Sequence, residues 1–204
     1  MMDASVFAYR KAFYDTQLQG ILHDICVVYQ QMCGYGLLLP NDENIIRNEF
    51  GKYFSNQDYK SQTTTAHRYY YDYESSLQNT GGRVDMRFLP LDCYGVQDVF
   101  FAVECKRLDG KSRLCKEYVE HGIRRFTTGK YPTHLGCNAM LGFVVCPIDL
   151  SATVGKVNSY LDATEFLKTQ STAMSSMVRL ESQHTASQRF TLYHLWMNFS
   201  GLLY

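Results

Sequence analysis

The segment Phe100-Phe101-Ala102-Val103-Glu104-Cys105-Lys106-Arg107 constrains the fold more than any other part of the chain. Its unbroken apolar start, free of proline, reads as a buried strand. The run then ends in an acid and a base separated by one residue. Alternate side chains share one face of a strand, so Glu104 and Lys106 leave the sheet together. Packing does not account for such charges at the end of a core strand. Upstream, Gly82-Arg83-Val84-Asp85-Met86-Arg87-Phe88 reads as a second strand. A hairpin between the two, turning in the region of Asp92 to Gly95, brings Asp85 beside Glu104.

Helix-like and strand-like periods alternate along the rest of the chain. Phe13, Leu18, Ile21, Leu22, Ile25, Val28 and Met32 recur at helical steps, which predicts a long amphipathic helix from about Ser5 to Met32 that covers the remainder. Gly34, Gly36 and Pro40 interrupt the chain, and Asn41-Asp42 offers an N-cap for a second helix through Ile45, Ile46, Phe50 and Tyr53. The polar stretch that follows contains His67 to Tyr73, whose aromatics suit an edge strand, although they could also stack on splayed bases. Strands are predicted over 83–89 and 99–107, a helix over 113–126, a strand over 140–146 and a helix over 153–168. Two last strands are predicted over 177–181 and 190–197. This order indicates an α/β fold, a central mixed sheet flanked by helices. With 204 residues and 46% hydrophobic composition, the chain suffices for one sizeable core and is short for two. The expectation is a single domain over 1–204, with an N-terminal helical element (1–40) covering a core (41–204).

Several function classes are disfavoured. Lys plus Arg and Asp plus Glu each total 20, so the basic footprint of a free-standing DNA-binding domain is missing. Nucleic-acid binding must then rest on a local patch or on a partner. The first residues carry an early acid and no signal-like apolar stretch, and no apolar run has membrane-span length, so a cytoplasmic location with no membrane contact is expected. The 7 cysteines are scattered without a Cys-x-x-Cys pair and read as reduced core thiols. The 6 histidines form no metal or hydrolase motif, and neither a Walker loop nor a dinucleotide glycine pattern is present, so no nucleotide cofactor is expected.

The chemistry concentrates at Asp85, Glu104 and Lys106. Two hard carboxylates and a nearby carbonyl suit Mg²⁺, which takes few protein oxygens and keeps its waters. Such an ion activates water and neutralises charge on a phosphate, while Lys106 orients the nucleophile or stabilises the transition state. On ligand repulsion alone, Asp85→Asn is expected to preserve or raise stability without metal.

This D…E-x-K pattern resembles the PD-(D/E)XK nucleases of restriction-endonuclease-like fold, although Val84 stands where the family name has proline. The likeness extends to small bacterial members, some linked to phage defence, through Glu43-Asn44-Ile45-Ile46-Arg47, Glu104 to Gly110, Glu117 to Phe126, Gly129-Lys130-Tyr131 and the ending Tyr193 to Ser200. The resemblance implies a restriction-endonuclease-like core and a Mg²⁺-dependent endonuclease, with Mn²⁺ as substitute, acting on DNA in restriction or phage defence. Asp85 and Glu104 become the metal ligands, and Asp85, Glu104, Lys106 and Glu43 the catalytic set. Helical geometry alone leaves Glu43 and Glu49 equal; the resemblance favours Glu43. Arg124, Arg125 and Lys130 are close enough in sequence to form a phosphate-contacting cluster. The resemblance also allows a homodimer or a partner defence protein, with tighter nucleic-acid association expected in such an assembly than for the neutral chain alone. The rival readings are an inactive nuclease fold serving as an adaptor, a branched-DNA resolvase or repair nuclease, and an RNA-cleaving toxin.

Overall fold

The computed structural model describes residues 4–63, 65–77, 82–91, 99–174 and 176–204. The expected turn at Asp92 to Gly95 lies outside them, as do Met1 to Asp3. The elements are α1 (Ala4–Gly34), α2 (Glu43–Ser55), α3 (Gln57–Gln62), β1 (Tyr69–Ser76), β2 (Arg83–Pro90) and β3 (Phe101–Leu108). They continue as α4 (Ser112–Tyr118), a π-helical turn (Val119–Ile123), α5 (Arg124–Thr127), β4 (Cys137–Val144), α6 (Leu150–Asn158), β5 (Lys168–Met174), β6 (Met177–Thr185) and β7 (Arg189–Asn198). No helix among the described residues is long and apolar enough to cross a membrane.

One seven-stranded mixed sheet runs in the order β1-β2-β3-β4-β7-β6-β5. β1, β2 and β3 form an antiparallel meander, β4 lies parallel to β3, and β7 lies parallel to β4. A parallel neighbour requires a crossover, and the α4 to α5 segment supplies it between β3 and β4. Every residue of β4 is buried, as a strand covered on both faces must be. β6 and β5 complete the far side by antiparallel pairing.

Each face of the sheet carries its own core. On one, α1 and α2 bring Leu22, Ile25, Tyr29, Ile46, Phe50 and Phe54 against Phe101, Val103, Cys105, Leu141 and Phe143. On the other, α4, the π turn and α6 bring Tyr118, Val119, Ile123 and Val157 against Ala102, Leu108, Met140 and Trp196. β3 is the hinge of this division: its odd residues enter the first core, and its even residues face the second.

Local signals explain most boundaries. Asp42 Oδ1 accepts from the N–H groups of Asn44 (2.8 Å) and Ile45 (3.1 Å), starting α2 where a cap was expected. α3 is a short additional helix capped by Asn56, absent from the sequence reading. β1 begins at Tyr69, because Ala66–Arg68 is a 3₁₀ turn. The largest correction concerns 153–168, which is not one helix. α6 stops at Asn158, whose side chain accepts from Leu167 N–H (2.8 Å) and donates to Leu167 carbonyl (3.3 Å). An asparagine that satisfies a distant backbone pair in this way turns the chain back, here into the unforeseen edge strand β5. The expected 113–126 helix is also interrupted by its π turn, where a Cβ on Gly122 would meet the free end of the Met140 side chain and displace it.

Candidate functional site

The site forms where two paired strands part. β2 and β3 pair through Phe88/Phe101, Arg87/Ala102 and Met86/Val103. Beyond that point Asp85 inserts its own side chain, and Oδ2 accepts the Cys105 N–H at 2.8 Å. Glu104 lies on the face of β3 that α4 to α5 cover, and it is 0% exposed. Lys106 follows on the same face, its Nζ 2.9 Å from Glu104 Oε1.

The first residue of α2 closes the cluster. Glu43 Oε1 accepts from Lys106 Nζ at 2.8 Å, and Oε2 accepts the Arg107 N–H at 3.0 Å. The Lys106 ammonium thus sits between Glu43 and Glu104 and also donates to the Cys105 carbonyl at 2.6 Å. Glu49, the other helix carboxylate, pairs with Lys52 on its own helix. Of the two acids that sequence geometry left equal, Glu43 is the one in contact with Lys106.

The expected basic cluster divides. Arg125 turns inward, its Nη1 lying 3.2 Å from Glu104 Oε1 and donating to the Tyr131 hydroxyl at 2.6 Å. Its role here is that of a counterion to Glu104. Arg124 pairs loosely with Glu120 at 3.4 Å and stays at the surface. Arg124 and Lys130 line a shallow depression of about 270 Å³ together with Glu120, His121, Arg125 and Thr128.

Three side chains at the site escaped the sequence reading. The Tyr131 hydroxyl lies 2.6 Å from both Glu104 Oε2 and the Arg83 carbonyl, with one proton to donate. Arg47 is 1% exposed and donates Nη1 to Asp85 Oδ1 at 2.9 Å. Its Nη2 is bonded to Glu74 on β1. Arg47 had a weak signal, since it stands one helical turn after Glu43 and therefore on the same face. Tyr131 ends the Gly129-Lys130-Tyr131 segment. Glu74, in an aromatic edge strand, had no signal.

Electrostatics follow from this burial. Burial raises the Glu104 carboxyl to about 7, and Asp85 adds to that, while Lys106, Arg125 and the Tyr131 hydroxyl oppose it. Burial opposes charge on Lys106, but Glu104, Glu43 and Asp85 together outweigh it and hold the pKa above the ordinary lysine value. Lys106 is therefore held as an ammonium in this arrangement. Glu104 Oε1 is buried, with Lys106 and Arg125 at ion-pair distance but neither aligned on it for a hydrogen bond. Two carboxylates on adjacent strands, one of them with an oxygen free of hydrogen bonds, are the donor type that a hard divalent cation takes; a cation on that buried oxygen would have to push back Lys106 or Arg125. Among the described residues, no group of three or more His, Cys, Asp or Glu side chains forms a ready metal cage.

A second polar cluster lies on the same face of the sheet, toward β7 and β6. Trp196 Nε1 donates to the Tyr118 hydroxyl (3.1 Å), which lies 2.8 Å from His194 Nδ1. Ser182 Oγ lies 2.8 Å from His194 Nε2 and 2.6 Å from His184 Nε2, and His184 Nδ1 lies 3.1 Å from Glu165. The Glu165-His184-Ser182 part has the connectivity of a hydrolase triad. Ser182 is only 1% exposed, so no substrate carbonyl reaches its hydroxyl. The cluster is a buried hydrogen-bond chain tying β6 and β7 to α4. Burial lowers the pKa of both histidines; the Glu165 carboxylate opposes this at His184, whereas Arg124 adds to it, and His184 adds to it at His194. Sign follows from linkage: at these two rings the folded state binds fewer protons than the unfolded chain, so their contribution to stability is full above the ordinary histidine pKa and is lost on acidification below it. Glu104, raised to about 7, gains a proton on folding in the same range and opposes this, so the check is a difference: between pH 7 and pH 5 a His194→Gln variant, with one titrating ring fewer, should lose less thermal midpoint, or gain more, than wild type. Calorimetric scans across that range check this.

The chain matches no family model, no curated protein and no solved structure.

Proposed function

We propose that the chain is a metal-dependent nuclease with a restriction-endonuclease-like core of PD-(D/E)XK type, hydrolysing phosphodiester bonds, with DNA as the preferred substrate. The observation that carries this reading is the meeting of Glu43, Glu104 and Lys106 beside Asp85 at the parting of β2 and β3. The order α2, β1, β2, β3, crossover helix, β4 supports it, because that order puts a helix start and two strand ends at one point.

Asp85 and Glu104 are the residues suited to hold Mg²⁺, with Mn²⁺ as a substitute. The cation, when bound, supplies a Lewis acid for activating water and neutralising phosphate charge. Lys106, kept protonated by Glu43 and Glu104, offers a preorganised positive charge to the reacting phosphate or its water. Glu43 fixes the direction of that ammonium. Arg125 and Tyr131 hold Glu104 in place from the other side. Arg124 and Lys130, at the surface beside Arg125, are placed to contact the phosphate backbone, and restriction or phage defence is the setting proposed.

One observation favours a second reading, that of a non-cleaving adaptor: Arg47, Lys106 and Arg125 already pair with the carboxylates. Incubation with plasmid, single-stranded DNA and RNA under Mg²⁺, Mn²⁺ and EDTA separates the two. The nuclease reading expects cleavage of DNA with either metal and none in EDTA. Retained nucleic-acid binding without cleavage under any metal would support the adaptor; preferential cleavage of RNA would move the substrate class.

A further inference from the structure

We propose that Glu74 is a positioning residue for the metal site: by sharing the Arg47 guanidinium with Asp85, it leaves Asp85 enough negative charge to bind a divalent cation. This rests on the metal-dependent reading above and deepens it.

Three independent features meet at Glu74. The first is its backbone, with φ at +51°, the only positive value at a non-glycine residue among the described residues. Glutamate has no intrinsic preference for this left-handed region, and such strain persists only where surroundings impose it. The second is register. β1 and β2 pair Tyr73 with Met86 and Ser75 with Val84, so Glu74 stands opposite Asp85. β2 also turns about Asp85: Val84 enters one core and Met86 the other, although residues two apart in a regular strand share a face. The irregularity thus involves both acids at once and aims both at the same partner. The third feature is that partner. Arg47 is 1% exposed and binds Asp85 and Glu74 with different nitrogens of one guanidinium.

A buried guanidinium cannot leave its carboxylates without a large desolvation cost, so Arg47 stays when a metal arrives. If Asp85 were its only counterion, the two would form a neutral pair, and Glu104, itself paired with Lys106 and Arg125, could not make up the charge lost to a dication. Glu74 restores the balance. Its side chain is 36% exposed and so can keep its charge at little cost, while Arg83 Nη2 lies 3.5 Å away. The strained backbone is explained as the geometry that delivers this carboxylate to Arg47 from an edge strand.

The test is Mn²⁺ binding to the substrate-free full chain, measured by electron paramagnetic resonance. Glu74→Gln should weaken binding by on the order of tenfold, through loss of one nearby charge. Glu74→Asp keeps the charge and accepts left-handed backbone, so its affinity should stay within about threefold of wild type. In Glu74→Gln/Arg47→Gln the site regains its wild-type net charge, and binding should recover; a purely structural role for the two residues predicts a further loss instead. For cleavage, Glu74→Gln should raise the Mg²⁺ concentration needed for half-maximal rate while changing the rate at saturating Mg²⁺ little. Wild-type binding with unchanged affinity in Glu74→Gln overturns the positioning role and leaves the nuclease reading intact. Failure of the wild type to bind Mn²⁺ overturns both.

Discussion

Lys106→Ala should reduce cleavage by on the order of 10³-fold while leaving nucleic-acid affinity almost unchanged. The ammonium is one cation among several near the site, so its loss costs little ground-state binding. Its contribution is expected in the transition state, where it would meet developing charge from a fixed position between Glu43 and Glu104. The fold should survive, because Glu104, already raised to about 7 by burial, takes up a proton when its neighbour is gone, and Arg125 and Tyr131 remain on it. Removing a positive charge beside a metal ligand should also tighten Mn²⁺ binding at alkaline pH, where Glu104 is ionised. Single-turnover cleavage, a filter-binding isotherm and Mn²⁺ titration on the same preparation check the three parts. Cleavage within tenfold of wild type would remove Lys106 from the mechanism.

Asp85→Asn should abolish cleavage and also destabilise the metal-free protein, reversing the expectation from carboxylate repulsion. The reason is Arg47. Asp85 supplies a charged acceptor to a guanidinium that is almost wholly buried, and at the same time accepts the Cys105 N–H that bridges β2 to β3. Asparagine retains one carbonyl oxygen for two donors and no charge. Leaving a buried cation short of one partner costs roughly 2–3 kcal/mol, reduced from the full penalty because Glu74 stays paired with it. That corresponds to a fall of roughly 5–10 °C in the thermal midpoint for a chain of this size. Wild type should gain stability on addition of Mg²⁺, since a ligand bound only to the native state raises it, and the variant should show no gain. Thermal scans of both proteins with Mg²⁺ and with EDTA read all of this. An unchanged or raised midpoint for Asp85→Asn in EDTA would show that the Arg47 pair contributes nothing to the fold.

The contact between Asp85 and the buried Arg47 shows where local pattern stops carrying information. Alternation and helical spacing placed Glu104 and Lys106 on one face of β3, began α2 at Glu43 after its Asp42 cap, and put Asp85 on a strand able to approach them. These readings hold because they depend on the fixed periods of strand and helix, which are properties of contiguous residues. The end of α6 at Asn158, and β5 after it, depended on a bond to a backbone nine positions away, and no period announces such a bond. Which of Glu43 and Glu49 meets Lys106 turned on how α2 crosses the end of β3, and the inward turn of Arg125 onto Glu104 on how α5 packs over that strand. Arg47, Glu74 and Tyr131 reach the site from a helix, an edge strand and a loop, and only folding puts their charges within hydrogen-bond range. A carboxylate's place in the chain made it a candidate ligand; the buried cations gathered around it by tertiary packing decide how much of its charge is left for a metal.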